Sequence, residues 1–312
     1  MNEFSQTNSL CSLDNVKIAE FLVEIGDDAA AERFIRQGPT GMGVTARILH
    51  RDQYAYSGVV LGFLPPVGEG SDPREIWSLD QVVADERLID QPVKITVDQF
   101  FVESYPGLGK HRILCEFAGR NQTASEVEQV KFALTLASAD RESAAVVGTP
   151  IFVGLRVGRN GISFEGRTVS VGSDVDDLIL DALKGGAFQN GLALLTSAQP
   201  ALKPFVGLAT SVVAATVKRR KNQQVYAFQL GLDFSNNRSS ARLRYGSYIV
   251  LQAPPGAWDW KKFSWDASSR TIVSRAGNQA LALNYLVFGV SRFEGDVAKE
   301  APRRPRAKLP NA

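Results

Sequence analysis

At 312 residues the chain is long enough for one large or two ordinary domains with a proper core, and 44% hydrophobic with 22% charged residues is ordinary for a soluble globular protein. A formal net charge of +2 is too small to point to a partner class, so local clusters matter more than the total. Two cysteines, Cys11 and Cys115, exclude both a disulfide framework and a cysteine-rich zinc site.

The amino-terminal stretch "MNEFSQTNSLCSLDNVKIAEF" has no basic start, apolar core or small-residue cleavage site, so no secretory signal is expected and the setting reads as cytoplasmic. Residues 1–92 read as a mixed helical and strand region. Val16, Ile18, Ala19, Leu22, Val23 and Ile25 recur at roughly helical spacing, with Asp14 as N-cap and Gly26 as the stop, and a second short helix follows from Asp28 to Gln37. After the breakers Gly38, Pro39, Gly41 and Gly43, "VTARILH" and "AYSGVVLGFL" read as a strand pair.

From residue 93 the period changes to two. "VKITVDQFFVES" and "HRILCEFAG" alternate around Ile95, Val97, Ile113, Cys115 and Phe117, and "YPGLGK" between them predicts a hairpin turn. Val130, Phe132, Leu134 and Leu136 continue the pattern, as do Tyr226, Phe228, Leu230, Leu232 and Phe234, with further strands in "YGSYIVLQAP" and "LNYLVFGVSRF". Many short strands with turns between them predict a mainly β (α+β) chain: an antiparallel β-sandwich over 93–293 with an inserted helical segment at 174–222. The basic, Pro-rich segment 294–312 is expected to be a disordered tail.

The insertion raises the first functional question. Residues 185–217 carry one charge, Lys203, and run into Lys218, Arg219, Arg220 and Lys221. A bilayer span needs about 20 apolar residues, roughly 30 Å at 1.5 Å each. Pro200, Lys203 and Pro204 interrupt the run and leave only Phe205 to Val217, 13 residues. The favoured form is therefore a buried helical hairpin, helices at about 187–198 and 202–219, whose basic end also suits an anionic membrane surface if the hairpin is released. A second constellation, "AWDWKKFSW", sets Trp258, Trp260 and Trp265 beside Lys261 and Lys262, a combination suited to a membrane interface, a glycan or stacked bases, or to a half-buried edge with solvated lysines.

Enzyme signatures are weak. His111 and Cys115 stand about 13 Å apart on a strand, at ~3.3 Å per residue, too far for a local dyad. "SYPGLGKH" lacks the first glycine and the Ser or Thr of a phosphate loop, and "GPTGMG" has the wrong spacing. Asp27, Asp28, Asp174, Asp176 and Asp177 lie at expected helix starts, where carboxylates are favoured without a metal. No cofactor and no metal is expected. The expectation is a non-enzymatic binding or assembly protein with a protein partner or self-association, and an anionic membrane as a further partner. The alternatives are an enzyme of hydrolase type with a dispersed site that includes His50 or His111, and a nucleic-acid-associated module using the basic clusters at 218–221, 238–244 and 303–308.

Overall fold

The computed structural model describes residues 4–36, 52–69, 72, 74–122, 127–144, 146–171, 222–235 and 240–293. Helices α1 (Asn15–Glu24) and α2 (Asp28–Arg36) come first. The strands follow as β1 (Gly58–Leu64), β2 (Pro92–Val102), β3 (His111–Gln122), β4 (Val127–Ser138), β5 (Glu142–Ser143), β6 (Thr149–Arg156) and β7 (Ile162–Ser170). After them come β8 (Gln223–Asp233), β9 (Ala241–Arg242), β10 (Gly246–Ala253), β11 (Phe263–Asp266), β12 (Thr271–Ser274) and β13 (Tyr285–Arg292). The helical hairpin expected within 187–221, the strand expected at 44–50 and the basic tail all lie outside the described residues.

The architecture is a β-sandwich. One sheet runs β1-β10-β13-β2, with β5 and β6 both on the far edge of β2; the other runs β4-β3-β7-β8-β9, antiparallel except for the short β8–β9 pair. The period of two decides which side chains meet between the sheets. Phe117, Phe164 and Phe228 of the second sheet surround Phe288 of the first, with ring centroids 5.6, 4.9 and 5.5 Å away. Phe117 and Phe164 meet Phe288 edge-to-face, an arrangement that adds about 0.5–1.5 kcal/mol per pair beyond area burial.

In α1, Asp14 accepts a hydrogen bond from the Lys17 backbone at 2.9 Å, and Gly26 at φ +82° ends the helix in the left-handed region. Ile18, Phe21 and Leu22 form the buried stripe, whereas Val16 and Val23 are 53% and 54% exposed. The expected stripe is thus right at Ile18, Ala19 and Leu22 and wrong at Val16 and Val23, which fall outside the i, i+3, i+4 positions, while Phe21 completes it.

The hairpin expected at "YPGLGK" is also corrected. β2 and β3 belong to different sheets, so residues 103–110 carry the chain across the sandwich. A Pro-Gly turn reverses direction in either case, and only the partner strand tells the two apart. β1 joins the first sheet by pairing with β10 from Gly58↔Ala253 to Leu64↔Ser247, and Leu10, Leu22 and Phe34 share one hydrophobic cluster with Val93 and Phe288.

The central strands β10 and β13 of the first sheet are buried on both faces. Tyr248 and Val250 of β10 and Leu286 and Phe288 of β13 point into the sandwich, while Ile249, Leu251, Tyr285 and Val287 join a second cluster with Ile76, Trp260 and Ile272. This double burial explains the unbroken apolar runs of β10 and β13. The second cluster is closed by the β11–β12 hairpin and the turn before it, which together form a lid over the sheet.

Candidate functional site

The lid carries every described residue of the Trp/Lys stretch. Trp260 opens a short 3-10 turn, Trp260–Lys262, capped by Asp259 through a hydrogen bond from the Lys261 backbone at 3.0 Å. That geometry sends Trp260 inward, 3% exposed, with its Nε1 donating to the Leu61 carbonyl at 2.8 Å. Trp258 remains at the rim. Its ring stacks on Phe263 at 5.0 Å with 7° between planes and meets Trp260 edge-on at 5.5 Å. Trp258 Nε1 is covered and has no acceptor among the described residues. Trp265 is partly buried, and Lys261 and Lys262 are exposed.

The lid is tied to the segment before β2. The Trp265 backbone donates to the Arg74 carbonyl at 2.8 Å, and Arg275 donates to the Phe263 carbonyl (3.0 Å) and to Asp72 Oδ2 (3.2 Å). Asp72 is held below the usual carboxylate range, chiefly by the Arg74 backbone N–H and then by Arg275. Between lid and segment lies a cleft of about 260 Å³ lined by Asp72, Glu75, Trp260, Lys261 and Arg275, among others. Its walls carry both signs of charge, which suits a polar contact rather than an apolar ligand.

The residues weighed for catalysis are placed elsewhere. His111 and Cys115 both lie on β3, separated as the strand spacing requires. His111 is buried, with Nε2 2.7 Å from Asp140 Oδ1 and the Tyr105 ring beside it. Asp140 also accepts from the Tyr105 backbone at 3.0 Å, so the pair fastens the 103–110 crossover to the end of β4. Cys115 is fully buried, and burial pushes its thiol well above the ordinary range, away from a reactive thiolate. Asp27 caps α2 by accepting from the Ala30 backbone at 3.1 Å. Among the described residues no three His, Cys, Asp or Glu groups gather as a metal site, and no helix is long and apolar enough to cross a membrane. His50, Asp174, Asp176, Asp177, Lys218, Arg219, Arg220 and Lys221 lie outside the described residues.

One charged group escaped the sequence reading. Glu116 is 2% exposed on the outer face of the second sheet, where Arg167 Nε and Nη2 both lie 2.6 Å from its Oε2 and Lys131 Nζ lies 4.0 Å from its Oε1. Alternation marks position 116 as outward, which reads as solvated; the cover comes from the distant segment before α1. No protein-family model matches this chain, and no curated protein sequence does so either.

Proposed function

We propose that this chain acts by binding rather than by turnover, and that the contact surface is the rim of the lid, used against an anionic membrane surface. The observation that supports it is the division of the tryptophans: Trp260 is inserted in full, while Trp258 and Trp265 stay partly exposed in the same stretch as the exposed residues Lys261 and Lys262. Amphipathic indole rings favour the boundary between water and acyl chains, and lysines beside them add attraction to acidic headgroups. The run Lys218 to Lys221 would supply further charge of the same sign.

The test is co-sedimentation with phosphatidylcholine vesicles, with and without phosphatidylserine. At roughly 1 kcal/mol per basic residue, Lys261→Gln/Lys262→Gln is expected to weaken binding to the anionic vesicles about 30-fold. Equal behaviour of wild type and variant, or equal binding to neutral vesicles, overturns the reading and moves the search to protein partners at the same rim.

A further inference from the structure

A small cavity lies between the two sheets, beside Tyr105 of the 103–110 crossover. Phe100, Gln252 and Leu286 of the first sheet line it together with Asn284, and Thr168 and Tyr226 of the second sheet close the other side. Each of these residues is at most 4% exposed, so the cavity is internal. At about 10 Å³ it has room for the centre of one water-sized molecule and for nothing larger.

Most polar groups around it are already bonded. Gln252 Nε2 donates to the Tyr54 and Tyr56 carbonyls at 3.0 and 2.9 Å, and its Oε1 accepts from Asn284 Nδ2 at 3.1 Å. Asn284 Oδ1 accepts from the Glu103 and Ser104 backbones at 2.8 and 3.2 Å. Tyr226 donates its hydroxyl proton to the Leu251 carbonyl at 3.3 Å. Tyr105 Oη is the exception: it is fully covered and has no partner among the described residues. Burial pushes the Tyr105 phenol well up and Thr168 works against that rise, so the two side chains lie near each other without a bond of normal geometry.

A hydroxyl buried without a partner loses its hydration and gains nothing in return. A cavity lined only by apolar groups stays dry, but this one borders hydroxyls and a pair of amides. Its walls hold no charged side chain, so an ion there would be buried without a counter-charge. Water fits both the size and the chemistry.

We propose that this cavity is the site of one internal water molecule, held by the hydroxyls of Tyr105 and Thr168 and by the Gln252–Asn284 amide pair, which ties the crossover to both sheets. The proposal does not depend on the lid.

The experiment compares the full chain with Tyr105→Phe, which keeps the ring and deletes only the hydroxyl. Oxygen-17 relaxation dispersion of the solvent counts waters that stay inside a protein long enough to tumble with it. Tyr105→Phe is expected to lower that count by one and to lower the urea midpoint, because a bonded hydroxyl and its water are lost together. A crystal structure of the wild type that shows ordered water is expected to place one oxygen within about 3.2 Å of Tyr105 Oη. An unchanged count, or no oxygen at that place, would overturn the proposal. So would a midpoint that rises in Tyr105→Phe, the mark of a hydroxyl that had no partner to lose.

Discussion

Trp260 lies against Gly62: a β-carbon on Gly62 would come within 2.7 Å of two carbons of the indole ring and 3.1 Å of Ile76. The ring's Nε1 bonds the carbonyl of the preceding residue, Leu61, so one of the lid's anchors is a side chain lying over a bare stretch of β1. Gly62→Ala is expected to destabilise the protein by about 1–3 kcal/mol, as overpacking does. Urea unfolding followed by tryptophan fluorescence checks this; an unchanged midpoint would show that the Trp260 ring yields to the added methyl without cost.

The buried ion pair on the outer face of the second sheet gives a second expectation. Glu116→Ala removes the carboxylate bonded twice by the buried Arg167 guanidinium and is expected to cost about 3–5 kcal/mol. Replacing the charges together by apolar residues of similar volume is expected to be neutral or stabilising. Unfolding midpoints of the two variants, compared with wild type, separate a pair that stabilises from one that is merely tolerated.

The cysteines are expected to be silent in the native state. Cys115 is fully covered with its thiol raised by burial, and Cys11 is 6% exposed with Sγ donating to Gln6 Oε1 at 3.2 Å. A disulfide exchange reagent is expected to modify neither thiol rapidly in buffer and both in denaturant. Cys11 reacting ahead of Cys115 would follow from local opening of the segment before α1; prompt reaction of Cys115 would mean that the sandwich itself opens.

Acid is expected to weaken the fold. Asp85 is held below the ordinary 3.8, first by the Arg87 side chain, and Asp14 is lowered first by the Lys17 backbone N–H. A carboxylate lowered by folding stabilises above its unfolded value, and that contribution disappears as pH falls through the folded value. Glu103, raised by burial, works in the opposite sense. Urea midpoints are expected to hold down to about pH 5 and to fall below about pH 4, with a shallower fall in Asp85→Asn. A midpoint that rises on acidification would contradict this balance.

Much of the sandwich is legible in the alternation of its strands. Tyr226, Phe228, Leu230 and Leu232 are all buried, as the period of two requires. Strand partners are not legible, because the turn chemistry of residues 103–110 fits a reversal within a sheet and a crossing between sheets equally well. The outer layer is hidden for a related reason: a run such as Tyr285 to Val290 states that both faces are covered without naming the cover. At the candidate site the local cluster of tryptophans and lysines is visible, but its orientation depends on a 3-10 turn that no spacing in the sequence marks. Arg275 and Asp72 meet across 203 positions, beyond any spacing rule.

The place of β13 has a consequence for how the molecule is made. It lies between β10 and β2, which do not pair with each other, and it is the last described strand of the chain. During synthesis the first sheet therefore waits as two fragments, β1 with β10 and β2 with β5 and β6, each presenting an unpaired edge. Residues 285–292 enter between them like a keystone, and a chain that stops short of them leaves both edges open to any other strand in the cell.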